Sequence, residues 1–324
     1  MGDRAVVTGG AGFLGTHLCL RLVEFGHDVV CIDDLSTGAP MNVAGLEAAG
    51  VTVVRHDVVD PLPVAGPVSL VAHLACPPSP TYYLRHGIDT LRCAADGTRH
   101  ALELAGDRGA RCVIASTSEI YGDPLEHPQT ELYRGNVDPT GPRSVYDEGK
   151  RYAEALAVAH HRERGTDVGI ARIFNTYGPR MRADDGRMIP TFIAQALAGD
   201  PLTVSGDGQQ TRSLCYVDDL VDGLMALADS SVGVPVNLGN PVEMTVREVA
   251  EAVCDAVGVP VDLVHGPAAP DDPVRRRPDI GRADTLLGWR PRVGLVDGLA
   301  RTVAWFAGQP GRVSPPSGAS TSPV

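Results

Sequence analysis

The sequence predicts an α/β protein, a doubly wound parallel sheet with a smaller C-terminal region after it. Three observations carry that prediction. Short apolar runs, RAVVTGG, HDVVCIDD, VTVVRHDV, SLVAHLAC and ARCVIAST, alternate through the first half with stretches of helical spacing such as 12–25 and 89–106. The runs are continuous in Val, Ile and Leu rather than alternating with polar residues, which is the pattern of strands covered on both faces. The alternation then breaks near residue 176, where loops rich in Gly, Pro, Asp and Arg take over at 178–187, 205–212 and 266–281.

Taken in order, the first strand runs into VVTGGAGFLGTHL, which sets Gly9, Gly12 and Gly15 in a G-x-x-G-x-x-G spacing ahead of a helix, with Phe13 and Leu14 between the last two. Glycine permits the tight turn and lets a pyrophosphate approach the backbone at a helix N-terminus, where free N–H groups point outward. The second strand ends in Asp33-Asp34, followed by Ser36, Thr37 and Gly38. An acid at that point hydrogen-bonds the ribose 2′-hydroxyl and repels a 2′-phosphate, so the predicted cofactor is NAD rather than NADP. The third strand ends at Asp57-Val58 and the fourth at Leu74-Ala75-Cys76, which border the adenine and its ribose. With that loop at the first strand, the predicted fold is of the Rossmann type.

The fifth strand leads into IASTSEIYGDP. Residues two apart on a strand face one side, so Thr117 and Glu119 are expected to enter the site together while Ser118 points away. Downstream, SVYDEGKRY holds the one lysine among the 28 Lys and Arg residues, four positions after Tyr146 and so on the same helical face. A phenol with a reference pKa near ~10 must lose about three units to act as a base at neutral pH, on the order of 4 kcal/mol. A compact ammonium at Lys150 and a positive nicotinamide ring can supply that, and a small point charge also reaches ribose hydroxyls where a planar guanidinium is bulkier. Further strands are predicted at 168–175 and 235–240, and the Pro/Ser/Gly-rich stretch 309–324 is predicted to be disordered.

Composition narrows the partners. A net charge of −12 argues against nucleic acid or an anionic membrane, so an anionic ligand needs a local cluster of arginines. No apolar run reaches the ~18 residues of a span, and the N-terminus enters a strand at once, so neither a span nor a leader is expected. The seven cysteines form no CxxC pair and the ten histidines no HExxH, which predicts reduced thiols in a cytoplasmic protein and no metal site.

Glycine triplet, threonine on the fifth strand and Tyr-x-x-x-Lys in this order resemble the extended short-chain dehydrogenase/reductases that act on nucleotide sugars. More narrowly, HLACPPSPTYY, STSEIYGDPLEHPQ, GPRSVYDEGKR, ARIFNTYGPRM, GDGQQTR, VNLGNP and DDPVRRRPDI are similar to the UDP-glucuronate decarboxylase (UDP-xylose synthase) family, over about residues 4–308. The resemblance implies an NAD-binding domain over 1–175, rejoined near 212–240, a sugar-nucleotide-binding region over 176–308, and a homodimer whose helices pair into a four-helix bundle. It implies Tyr146 as base, Lys150 as its partner, and Thr117 and Glu119 along the sugar. Asn175 is placed at the diphosphate, Arg187, Arg212 and Arg276 form a cationic lid, Arg276 also takes part in catalysis, and Arg92 lies near the substrate. The sequence departs from the family pattern at Ala94, where asparagine is usual, Cys76, where serine is, and Leu214, where an aromatic is. The implied reaction oxidises C4 of UDP-glucuronate, releases CO2 and reduces the 4-keto sugar to UDP-xylose. Alternatives are a nucleotide-sugar 4,6-dehydratase, whose usual acid slot is Ser118 here, a 4-epimerase, and a non-catalytic NAD-sensing regulator.

Overall fold

The computed structural model describes residues 3–267 and 273–309. The expected disordered tail lies outside the described residues except for Gln309, as do Asp271 and Asp272 of the arginine-rich loop.

The predicted strands form at β1 (Arg4–Thr8), β2 (Asp28–Asp33), β3 (Thr52–Arg55), β4 (Leu70–His73), β5 (Arg111–Thr117) and β6 (Val168–Ile173). A seventh strand, Pro235–Leu238, joins the edge beside β6, giving the order β3-β2-β1-β4-β5-β6 and then that strand. Every pairing is parallel. The continuous apolar runs are explained by what each face meets. Ala5, Val7, Val29, Cys31, Ala72 and Val113 pack into one core. Their neighbours Val6, Val30, Ile32, Val71, Cys112 and Ile114 pack into the other. Successive side chains of a strand point to opposite faces, and both faces are covered, so most positions are apolar and the polar ones, such as His73, Ser116 and Arg172, are buried with partners.

Six helices come from the first half: α1 (Phe13–Glu24), α2 (Pro40–Ala48), α3 (Pro80–Tyr83), α4 (Gly87–Arg92), α5 (Thr98–Arg108) and α6 (Ser144–Arg164). The stretch predicted as one helix over 89–106 is interrupted by a π turn at Cys93–Gly97. The turn lets helix and neighbours meet closely: a Cβ at Gly149 of α6 would lie 3.0 Å from that of Ala94, and one at Gly97 would lie 2.8 Å from Val58. Ala94 is buried in this contact.

Beyond β6 the chain crosses to a second set of elements. The helices α7 (Met188–Ala198), α8 (Val217–Ala228) and α9 (Val246–Val257) contribute Ile193, Leu220 and Val249 to the same core as α1, and α8 packs on β5 and β6. A small sheet joins Thr211–Ser213 to Glu243–Thr245 and to Arg275–Arg276. Its register sets Arg212 opposite Arg276, so two side chains far apart in sequence arrive together.

The seam between α6 and the end of β5 fixes the site. Lys150 donates to the Ala115 carbonyl at 2.8 Å. Ser116 donates to Glu154 at 2.5 Å, and Arg172 of β6 grips the same carboxylate through Nε and Nη2 at 2.9 and 2.8 Å. Arg172 also donates to the Tyr121 hydroxyl, which donates to Asn237. All of these side chains are buried or nearly so, so each charge depends on its partner. We expect Glu154→Leu to lower stability by about 3–5 kcal/mol, the cost of stranding one member of a buried ion pair. Urea unfolding measures it, and a loss below ~1 kcal/mol would show that solvent reaches Arg172.

Candidate active site

The strand ends, the α1 N-terminus and the small sheet enclose a cleft of about 1210 Å³. Its cofactor half is built on backbone. Gly9 has φ +68° and lies so close to β4's exit that a Cβ there would be 2.7 Å from the Ala75 nitrogen; a Cβ at Gly15 would overlap the Gly9 carbonyl. Gly12 caps α1 without a side-chain acceptor, and Phe13, Leu14 and Gly15 line the cleft. Unsatisfied N–H groups at a helix start, approached through side-chain-free positions, fit a pyrophosphate. Asp33 accepts from the Ala11 and Leu35 nitrogens, both at 2.9 Å, and burial pushes its carboxyl up while those hydrogen bonds oppose the shift. A carboxylate with about four lone-pair sites keeps acceptors for a ribose, and the residues present therefore fit NAD.

Asp34, Ser36, Thr37, Asp57, Val58, Leu74 and Cys76 also line this half. Gly38 is not on its wall: it packs under Asp33, whose Oδ1 would be 3.0 Å from a Cβ there, so its role is to let the loop close over the acid. Below the cofactor half, His73 meets the Thr8 hydroxyl at 2.8 Å through Nδ1. Burial and then Lys150 push His73 down to about 3, which keeps it neutral. A hydrogen bond with Cys93 lowers the Cys76 thiol against the effect of burial, and Lys150 adds to the pull.

At the centre, Tyr146, Lys150, Thr117 and Glu119 come together on one wall with Ser118. The route differs from strand alternation. Strand β5 ends at Thr117, whose hydroxyl accepts from the Glu119 nitrogen at 3.2 Å and so starts a 3₁₀ turn over Ser118–Tyr121. The turn, not the pleat, carries Glu119 into the cleft and leaves Ser118 on its wall too. Burial first, then Cys76 and Glu119, push the Tyr146 phenol well up, and its hydrogen bond with Thr117 pulls it back. The Lys150 ammonium lies 5.9 Å from the Tyr146 ring centre. The protein's own groups thus hold Tyr146 protonated, and the lowering that a base needs matches the positive charge of an oxidised nicotinamide.

Glu119 is held from two directions. Arg143 binds Oε2 at 2.5 Å, Arg276 binds Oε1, and Arg276 also donates to the Gly122 carbonyl at 2.9 Å. Burial alone would push the Glu119 carboxyl up, but Arg276, Arg143 and then Arg212 outweigh it and hold it below the usual range. Arg187 pairs with Asp185 at 2.6 Å and lies 5.6 Å over the Phe13 ring, linking the substrate loop to the phosphate loop. Asn175, Arg212 and Leu214 line the cleft between them, and Arg92 stands exposed at its edge.

Three residues in or beside this wall escaped the sequence reading. Arg143, immediately before α6, shares Glu119 with Arg276. Tyr83 stacks on Tyr146 with ring centres 5.2 Å apart and planes within 8°. Asp147, next to Tyr146, is buried and lines a second cavity behind Glu119. For Arg143 and Tyr83 the signal was present in GPRSVYDEGK and PPSPTYY, but nothing in local spacing says that either folds back onto the α6 face.

Residues 5–239 match the family model described as the NAD dependent epimerase/dehydratase family. The chain is 49% identical over 304 residues to UDP-glucuronic acid decarboxylase 1 of Arabidopsis thaliana, covering 94% of this chain and 69% of the plant protein. Among solved structures it resembles the UDP-glucose 4-epimerase of Thermotoga maritima with UDP-glucose, with a TM-score of 0.86, 25% identity and coverage of 94% and 98%. The UDP-glucose 4-epimerase of Thermus thermophilus in complex with NAD matches with a TM-score of 0.82, 28% identity and coverage of 94% and 99%. The epimerases share the fold, whereas the far higher identity lies with the decarboxylase, and on that ground the chain belongs to the NAD dependent epimerase/dehydratase family and, within it, to the UDP-glucuronic acid decarboxylases.

Proposed function

We propose that this protein is an NAD-dependent carboxy-lyase that converts UDP-glucuronate to UDP-xylose and CO2 through a 4-keto intermediate. The observation that carries the reading is the Glu119 carboxylate held by Arg143 and Arg276 on the wall shared with Tyr146, Thr117 and Lys150. A cationic pair at the sugar end suits a substrate with a carboxylate at C6, and Ser118 beside Thr117 is not the aspartate that dTDP-glucose dehydratases usually carry there.

In this reading the turn at Gly9, Gly12 and Gly15 and the Asp33 carboxylate would hold NAD, which would supply a hydride acceptor at C4 and then a hydride donor, so none would be consumed. Tyr146 takes the proton of the C4 hydroxyl, and Thr117, in hydrogen-bond contact with it, holds the oxygen in line. The ketone so formed is β to the carboxylate and receives the electron pair of the breaking C5–C6 bond, which Tyr146 and Thr117 stabilise as an enolate by hydrogen bonding. Arg276 orients the sugar. Its engagement with Glu119 keeps it from clamping the substrate carboxylate tightly, which would stabilise the ground state and slow departure of CO2. Asn175, Arg187 and Arg212 hold the diphosphate, with Arg92 at the entrance.

The same proposal divides the chain into a cofactor-binding part over 1–175, with the return near 212–240, and a sugar-nucleotide part over 176–308. It also takes the working form to be a homodimer. Ile88 and Leu91 of α4, exposed at 77% and 40%, and Tyr152 of the adjoining α6, at 50%, form an apolar stretch of the kind that a second copy covers. A cytoplasmic location accords with seven free cysteines and, among the described residues, no helix long and apolar enough to cross a membrane.

Two outcomes follow. Tyr146→Phe is expected to cut formation of UDP-xylose by at least ~100-fold, the scale of general acid–base catalysis, while NAD affinity stays within a factor of about three. Unchanged turnover would remove Tyr146 from the mechanism. NAD is expected to bind at least ~10-fold more tightly than NADP because Asp33 faces the 2′-position, and equal affinities by calorimetric titration would overturn the Asp33 assignment.

A further inference from the structure

Loss of CO2 from a uronate consumes a proton. The C5–C6 bond breaks, its electron pair passes to C5 and the C4 ketone, and C5 then takes up one proton. The proton that Tyr146 removes from the C4 hydroxyl goes back to the C4 oxygen, so it does not serve C5. Each turnover therefore draws one proton from solvent, and the mouth of the cleft is filled by nucleotide and sugar when it is needed. The supplying group has to lie near the sugar, hold a proton near neutral pH, and connect to solvent by another route.

Glu119 meets the first requirement, but its two arginines hold it ionised at rest, so it can pass a proton on only when another group supplies it. Behind it lies a second cavity of about 290 Å³. Glu119, Arg143 and Arg276 line both cavities and so form the wall between them. Asp147 lines only the second, together with Asp123 and Asp138, which are exposed. Asp147 is itself buried, and its Oδ1 has no hydrogen-bond partner. A carboxylate left so is costly, and a protonated carboxyl is not.

We propose that Asp147 supplies the C5 proton, drawing it from solvent through the second cavity and passing it by way of Glu119 to the sugar as CO2 departs. Glu119 gains the proton from Asp147 and gives it to C5, and Asp147, left as a carboxylate, is reprotonated from solvent. Asp147 touches neither sugar nor cofactor and acts through Glu119. The groups facing it suit that task. Burial, then Glu119, push its carboxyl up to about 7; Arg143 and Arg276 oppose this, and Glu148 on its own helix adds to it. The inference rests on the decarboxylase reading.

The test is single turnover of UDP-glucuronate by the NAD-loaded protein, reading the rise and fall of NADH absorbance together with UDP-xylose by mass. In Asp147→Asn the rise, which reports C4 oxidation, is expected within about twofold of wild type. The fall and UDP-xylose formation are expected to slow at least ~10-fold, at the lower end for a lost proton donor, and Asp147→Glu is expected to recover part of the rate. A donor must be protonated, so in the wild type UDP-xylose formation is expected to fall as pH rises through about 7, a limb missing in the asparagine variant. An asparagine variant with the wild-type rate and pH profile overturns the proposal. So does a wild-type profile that is flat between pH ~6 and ~8, a result independent of whether any variant folds. A wild type that oxidises nothing and releases no CO2 instead overturns the decarboxylase reading itself.

Discussion

Three successive residues at the end of β5 meet three successive turns of α6, and the active site depends on that seam. Ala115 accepts from Lys150, Ser116 donates to Glu154, and Thr117 shares a hydrogen bond with Tyr146. Tyr146, Lys150 and Glu154 are spaced four apart, so they stack along one face of the helix. Each is buried against the strand, where a charge or hydroxyl without a partner is expensive. Sliding or rotating α6 would break all three contacts together. The helix is therefore fixed to the sheet partly by Tyr146 and Lys150, which also line the cleft, and Arg172, through Glu154, extends the constraint to β6. A lysine suits its place in this seam because a compact head fits under the phenol and reaches a single carbonyl, whereas a guanidinium needs room for a fork.

A second constraint concerns charge. The chain carries a net −12, yet its cleft has to accept a diphosphate and a carboxylate. The arginines that serve this are gathered by folding rather than by sequence: Arg143 comes from the start of α6, and Arg212 and Arg276 from opposed strands of the small sheet. Like charges so close would repel, and carboxylates of the chain itself hold them. Glu119 sits between Arg143 and Arg276, and Asp185 pairs with Arg187. An incoming anionic substrate therefore exchanges with groups already present, which tempers ground-state binding. Asp147 stands in the same cluster, its carboxyl facing Glu119, Arg143 and Arg276.

Much of this was legible in sequence because it is local. The strands read correctly because a sheet covered on both faces favours continuous apolar runs, and Gly9, Gly12 and Gly15 read as a phosphate loop because the chemistry requires bare backbone at those points. Tyr146 and Lys150 followed from helical spacing. What stayed hidden is non-local or depends on a change of element. Glu119 was placed in the cleft by strand alternation, but the strand stops at Thr117 and a 3₁₀ turn carries it there. The helix over 89–106 contains a π turn that no periodicity announces, and Ala94 within it packs closely against Gly149 of α6. Arg143, Tyr83 and Asp147 arrive beside the site only when β5, α3 and α6 converge, and Gly38 packs under Asp33 rather than on the cleft wall.

The claim at the centre is that a compact ammonium, and not positive charge alone, has to stand at residue 150. Lys150→Arg keeps the charge and changes its shape. Stopped-flow absorbance of the NAD-loaded variant mixed with UDP-glucuronate reads the C4 oxidation step directly, with NAD affinity measured alongside. The account predicts a rate lower by at least ~100-fold, on the scale of a disabled general base. An oxidation rate within about threefold of wild type would contradict it.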